Sequence, residues 1–381
     1  MNWLKGQIRF DRNELAGSFG DLGTDFPLLV GMILAAGLDS AGTFILFGAM
    51  QILTGLAYGL PMPVQPLKAM AVIVISQKIC PGVLYGGGLA IGLMMLFLAL
   101  TGLLGRLADI LPKSVVRGIQ LGLGFNLAVL ALKDYVQADG IAGFVLAGVG
   151  FGLTILLLGN RKIPAALVLM LMGAAYALLF KVDLAELGGS IGLAWPVPRL
   201  PTTDETLQGL WVLALPQLAL SIGNSVVATR QTVHDLFPGY PITIRKIGLT
   251  YATMNIVQPF LGGVPTCHGA GGMVGHYTFG ARTGGSVILS GSFYLLTGLL
   301  FSRGFGEVIQ VFPLPILGVV LFFEAITLMS FMRDVADSKK DLFVCLLVAL
   351  CAVGLPSGYL VGMILGTTLA LLIRRGWIMR G

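Results

Sequence analysis

Apolar runs of roughly 17 to 22 residues follow one another along almost the whole chain, and each is long enough to cross a hydrocarbon core as a helix. At that depth no water is available to bond free backbone groups, so lipid-exposed segments of this kind are confined to helices. Only 11% of the 381 residues are charged and the mean hydropathy is +0.90, which leaves no stretch able to build a soluble domain. The class is an all-α polytopic membrane protein. The start, MNWLKGQIRFDRNEL, carries charges but no small-residue cleavage site. It reads as a cytoplasmic amphipathic lead-in.

Hydropathy with Gly and Pro punctuation gives about fourteen segments. They centre near Gly23, Gln51, Val72, Met95, Leu123, Gly150, Met172, Leu220, Thr250, Val274, Tyr294, Val320, Leu347 and Gly366. The third and tenth are short and broken. The longest connection, residues 181–207, holds Asp183, Glu186, Asp204, Glu205 and three prolines, and is expected to be solvated. With a cytoplasmic N-terminus, most of the 24 Lys and Arg residues fall on the cytoplasmic side, among them Arg117, Arg230 and Arg282. The net charge of +6 therefore reports topology, not a nucleic-acid partner. Four cysteines show neither metal spacing nor a disulfide framework. Three read as packing residues, while Cys267 lies in a polar stretch and stays open as a site residue.

Three landmarks occur twice in the same order. A span with a polar middle (GSFGDLGTDFPLLVG, then LALPQLALSIGNSVVA) precedes a Pro-containing extended piece that opens a short helix (PMPVQPLKAMAV, then GGVPTCHGAGGMVG). A Pro-led span follows (LPKSVVRGIQLG, then FPLPILGVVLFF). The intervals are about 42 and 45 residues between the first two landmarks, and about 46 and 48 between the last two, the pattern of a transporter built from repeats. Seven spans per half is an odd number, so the halves are expected to be inverted. The expected fold is a 7+7 inverted repeat with spans 3 and 10 broken.

Non-helical chain at membrane depth has to line an enclosed or wet cavity. Two extended pieces from inverted halves can meet at the midplane, each starting a half-helix whose N-terminal N–H groups and positive dipole end suit an anion. Gly262, Gly263, Gly269, Gly271 and Gly272 would let backbone approach a ligand, although glycine also serves close helix packing. Lys68 sits in the first turn of its half-helix, where the dipole disfavours a cation. A bound anion would rescue it, as would a structural pair with Asp21 or Asp25. Gln65, Thr266 and His268 could donate to an oxyanion. Gln217, Ser221 and Asn224 share a helical face at offsets of four and three, either toward a ligand or toward neighbouring helices. Asp21, Asp25 and Glu324 are intramembrane acids, which points to proton or ion coupling, with structural pairing as the alternative. His276 and Tyr277 are expected to support the site, and Arg282 to mark the cytoplasmic exit.

PMPVQPLKAMAV and GGVPTCHGAGGMVGHYTFGARTGG resemble the two signature motifs of the molybdate transporter family, a branch related to the sulphate permease and anion-exchanger superfamily. GSFGDLGTDFPLL and ALPQLALSIGNSVVATRQTVHDLFP fit as well, so the resemblance covers nearly the whole chain. Carried over, Gln65 and Lys68 fall in the first motif, and Pro265, Thr266, Cys267, His268 and Gly269 in the second. The resemblance implies a fourteen-span fold split into a core (residues 14–110 and 207–303) and a gate (residues 111–206 and 304–381), after a lead-in of residues 1–13. The chain departs from many sulphate permeases by ending near Arg380, so their C-terminal regulatory domain is not expected.

The function this implies is uptake of molybdate by an elevator-like movement of core past gate, with proton coupling through Asp21, Asp25 and Glu324. The substrate-binding set is Gln65, Lys68, Ser221, Asn224, Thr266, Cys267, His268 and Gly269. The expected partners are a small oxyanion (molybdate, tungstate or sulphate), the lipid bilayer and a second copy in a homodimer, with no nucleic acid, cofactor or metal. The expected location is the plasma (inner) membrane, with both termini cytoplasmic. Sulphate transport is the nearest rival. A nucleobase–proton symporter would be expected to use acids on spans eight and ten, which here carry Asn224 and His268. An anion channel or an oxyanion sensor is a different class. An enzyme is disfavoured, because no nucleotide loop, metal spacing or nucleophile–base set is present.

Overall fold

A computed structural model of the chain describes residues 8–160, 163, 165–181, 195–300 and 312–378. Asp183, Glu186, the first part of the lead-in and the stretch around residue 303 lie outside them. Asp11 accepts from the N–H groups of Asn13 and Glu14 and so starts α1 (Arg12–Ser18), which runs on into α2 (Leu22–Ala36). Asp39 caps α3 (Ser40–Tyr58), which ends at Gly59 in the left-handed region. A two-residue strand, β1 (Gln65–Pro66), leads into α4 (Lys68–Gln77). Then come α5 (Pro81–Thr101), α6 (Leu103–Ile110), α7 (Lys113–Leu130), α8 (Gly140–Leu156) and α9 (Ala165–Phe180).

The second half opens with a Thr202–Glu205 capping box and the long helix α10 (Thr203–Leu236), interrupted by π-helical turns at Leu210–Ala214 and Ser221–Ala228. Next come α11 (Ile244–Phe260), the strand β2 (Thr266–Cys267) and α12 (Ala270–Thr278). The chain continues through α13 (Gly285–Leu300), α14 (Leu314–Ser330), α15 (Lys339–Gly354) and α16 (Gly358–Arg374). A 3₁₀ turn, Phe331–Val335, extends α14.

A helix lies at each of the fourteen centres read from the sequence, and among the described residues six helices are long and apolar enough to cross a bilayer. The helices at the two broken positions, α4 and α12, have only 10 and 9 residues. Large apolar side chains such as Phe97, Leu100, Phe144, Leu156 and Leu350 stay exposed. On a protein of this composition they read as the lipid-facing surface.

The helices pack in two groups. In one, α13 lies along α3, α11 and α10 lie along α5, and α2 lies against α4. In the other, α7 is flanked by α14 and α15, with α16 on α15 and α8 on α14. Glu14 fastens the N-terminal helix to the second half. Its buried carboxylate accepts from the N–H groups of Arg282 and Thr283 at 2.9 Å and of Ser286 at 3.0 Å, closing the approach to α13.

Candidate functional site

Pro61, Pro63, Pro66 and Pro265 lack the N–H a helix interior needs, so the chain before α4 and α12 runs extended. These two stretches, 200 residues apart in sequence, pair antiparallel, with Gln65 opposite Cys267 and Pro66 opposite Thr266. Each is also held by an amide side chain that bonds both backbone groups of one residue. Gln51 on α3 accepts from Val64 N–H at 3.0 Å and donates to its carbonyl at 2.9 Å. Asn255 on α11 does the same for Thr266, at 2.9 and 2.6 Å. Backbone that would otherwise be orphaned at membrane depth is satisfied in this way.

The half-helices that follow differ at their N-termini. The N–H groups of Ala69 and Met70 in α4 donate to Gln217 Oε1, at 2.9 and 3.3 Å. Those of Ala270 and Gly271 in α12 have no hydrogen-bond partner among the described residues, and both residues line a cavity of about 260 Å³. A Cβ placed on Gly271 meets nothing within 4 Å, whereas one on Gly269 would overlap the Gln65 carboxamide. The second glycine is therefore required by protein contacts, and the first opens toward the cavity.

Lys68 and Arg117 bring positive charge to the cavity wall, and Gln65, Gln120, Gln217, Asn224, Ser225 and Thr232 bring neutral polar groups. Cys267 and Gly269 complete the strand side, with Leu328 and Phe331 on the side of α14. None of the described lining residues is acidic. Cations, neutral donors and a helix N-terminus on one enclosed wall suit an anion.

Of the expected substrate-binding set, Gln65, Lys68, Asn224, Cys267 and Gly269 line this cavity, and so do Gln217 and Gly271. Ser221, Thr266 and His268 do not. Ser221 is buried and bonds Tyr251 Oη at 2.6 Å and Gln217 Nε2 at 3.0 Å. Gln217, Ser221 and Asn224 do share a side of α10: Gln217 bonds Ser221 and lines the cavity with Asn224, while Ser221 itself is turned to Tyr251. The Thr266 hydroxyl accepts from Gln258 Nε2. His268 is fully buried, with Nδ1 donating to the Pro63 carbonyl at 3.2 Å and Nε2 at 2.8 Å from Thr250 Oγ1. It ties the second strand to the first.

The acids take partners that the sequence did not assign. Lys68 Nζ pairs with Glu324 Oε1 at 2.6 Å, joining α4 to α14, and not with Asp21 or Asp25. Asp21 accepts from Gln65 Nε2 at 2.6 Å through Oδ1. Asp25 accepts from Gln51 Nε2 at 3.3 Å through Oδ2. Both carboxyls are buried, and each keeps one oxygen without a partner. His276 bonds Ser286, while Arg282 stacks on the Tyr277 ring at 3.6 Å; neither lines the cavity. Among the described residues no cluster of His, Cys, Asp and Glu could hold a metal ion.

Sequence reasoning passed over Gln51 and Asn255 as strand clamps, and Arg117 and Gln120 as cavity residues. Arg117 was read as a topology charge. The spacing of Lys113, Arg117 and Gln120 by four and three is the one local sign that they share a face.

A sequence profile described as "Molybdate transporter of MFS superfamily" matches residues 13–127 and 209–328. Molybdate transporter 2 of Arabidopsis thaliana is 32% identical over 91% of this chain and 85% of its own length. Molybdate transporter 1 of Chlamydomonas reinhardtii is 26% identical over 92% and 90%. Among solved structures, the transmembrane domain of the cyanobacterial bicarbonate transporter BicA superposes with a TM-score of 0.67 at 17% identity, covering 96% of this chain and 98% of that one. The inward-facing murine anion transporter Slc26a9 superposes with a TM-score of 0.73 at 14% identity, covering 99% and 70%. These structures share the fold.

Proposed function

The chain belongs to the molybdate transporter family, and from that premise we propose that it is a secondary transporter that takes up molybdate across the membrane. The observation that carries the reading is the open N-terminus of α12. Its unpartnered N–H groups at Ala270 and Gly271 share a cavity with the Lys68 ammonium and the carboxamides of Gln65 and Asn224. A tetrahedral dianion seated there takes backbone donors, neutral side-chain donors and one cation.

The fourteen-span, seven-plus-seven inverted architecture is part of the proposal. Exchanging the halves carries the packing of α3 on α13 onto that of α11 on α5, and α7 on α15 onto α14 on α8. The same exchange carries the Gln51 clamp onto the Asn255 clamp. The first helix group then acts as the core and the second as the gate, with the Lys68–Glu324 pair bridging them. An elevator-like movement has to part that pair. Protonation of Glu324 and arrival of the oxyanion both release Lys68 from it, so each favours the other. Asp21 and Asp25, the acids on α2, complete the coupling group. The functional setting is the plasma membrane, with both termini cytoplasmic and a homodimer as the assembly.

Uptake of labelled molybdate into proteoliposomes tests this. Saturable accumulation driven by an inward proton gradient is expected, with excess sulphate competing weakly. Accumulation indifferent to the gradient removes the coupling, and equal competition by sulphate makes the substrate sulphate. No accumulation of either oxyanion removes the transport reading.

A further inference from the structure

Two residues that line the cavity from α7, Arg117 and Gln120, carry unpartnered buried donors away from the α12 N-terminus. Arg117 uses Nη2 to bond Asp334 at 2.6 Å and Nη1 to bond Gln120 Oε1 at 2.8 Å, leaving its buried Nε–H without a partner. A guanidinium offers no acceptor, so the carboxamide oxygen of Gln120 has to face it. Gln120 Nε2 is thereby fixed as the free donor; the residue is fully buried and that nitrogen has no partner. Buried donors are rarely left unbonded, because each forfeits the hydrogen bonds it made in water. Two such donors, on hydrogen-bonded neighbours in the cavity lining that include a cation, are a pair that an oxyanion reaching this wall can satisfy.

The surroundings give the pair a direction. Lys113, Arg117 and Gln120 succeed one another along one face of α7, spanning about 10 Å of helix. Exposure falls along that face, from a Lys113 side chain 61% exposed, through Arg117 at 15%, to the buried Gln120. Asp334 is held by both cations. Charge and polar donors therefore lead from the surface into the same cavity that Lys68 lines.

We propose that Arg117 and Gln120 form a second oxyanion subsite on α7, which receives the tetrahedral dianion on its way between the surface and the α12 N-terminus. The inference rests on the anion-transport reading and adds a binding group from the gate side that the family motifs do not contain.

Equilibrium binding of molybdate to the purified full chain tests it, with thermal unfolding as the control for folding. Gln120→Leu, which keeps bulk but removes the donor, is expected to weaken binding about tenfold, the worth of one hydrogen bond to a charged ligand. Asp334→Asn, which withdraws the anion competing for Arg117 without touching the donors, is expected to tighten it. Folded Gln120→Leu protein with wild-type affinity overturns the subsite. If that variant does not fold, Asp334→Asn decides, and unchanged or weaker affinity overturns the proposal. Gly271→Val separates this failure from that of the central reading. Loss of binding there with no effect at Gln120 leaves the α12 site standing and removes only the subsite. Absence of molybdate binding in the wild type removes both.

Discussion

Glu324→Gln is the most telling perturbation, because it asks whether Lys68 is contested between a protein carboxylate and the substrate. The pair is 2.6 Å long, with side chains 25% exposed at Lys68 and 10% at Glu324. Fully exposed pairs are worth at most ~1 kcal/mol, and removing one partner of a buried pair costs ~3–5 kcal/mol. A pair at this depth falls near 2 kcal/mol, which corresponds to about thirtyfold in an equilibrium constant. Glutamine keeps an acceptor for the ammonium but gives up the charge, so Lys68 becomes available to a dianion without being left bare. Molybdate affinity of Glu324→Gln is therefore expected to rise by about ten- to thirtyfold, measured by equilibrium binding on purified protein. Proton-driven accumulation should drop in the variant while molybdate exchange persists. Affinity equal to or weaker than wild type would refute the idea that Glu324 and the oxyanion compete for Lys68.

Three further outcomes are expected. Gly271→Val should fold, because a Cβ there meets nothing within 4 Å, yet lose molybdate binding by filling the cavity, whereas Gly269→Ala should unfold at lower temperature from its collision with Gln65. Glu14→Ala leaves three backbone N–H groups without their acceptor and is expected to cost about 3 kcal/mol, read as a lowered midpoint in thermal unfolding in detergent. His268→Ala should lower stability by ~2–4 kcal/mol through the lost contacts to Pro63 and Thr250, while molybdate affinity changes far less than in Lys68→Ala, as paired unfolding and binding measurements would show.

Much of the fold was legible because its determinants are local. An apolar run of about twenty residues has to be a membrane helix, whatever surrounds it. Proline, by removing donors, has to interrupt helices at residues 61–66 and 265. The matched order and spacing of the landmarks followed from the same local signals, and so did the proximity of Gln65, Lys68, Cys267 and Gly269 to one another and to a cavity.

Only the tertiary structure decided which polar groups satisfy each other, since at membrane depth every donor and acceptor seeks a partner and many carry the right chemistry. The sequence offered Lys68 two acids as partners, Asp21 and Asp25. The packing of α14 against α2 and α7 delivered Glu324, 256 residues away, and not Asp21 or Asp25. Gln217, which the sequence left open between ligand and packing roles, caps α4 with its carbonyl oxygen while also lining the cavity, and Ser221 is buried against Tyr251. His268 carried the right donors in the right motif, yet both of its ring nitrogens are held by protein groups. Arg117, read from sequence as a cytoplasmic topology charge, lines the cavity. Sequence thus determined where helices must form and where they must break, both short-range consequences of hydropathy and backbone chemistry. Which side chains remain free for an anion depended on helix rotation and depth, which arise only when distant segments pack together.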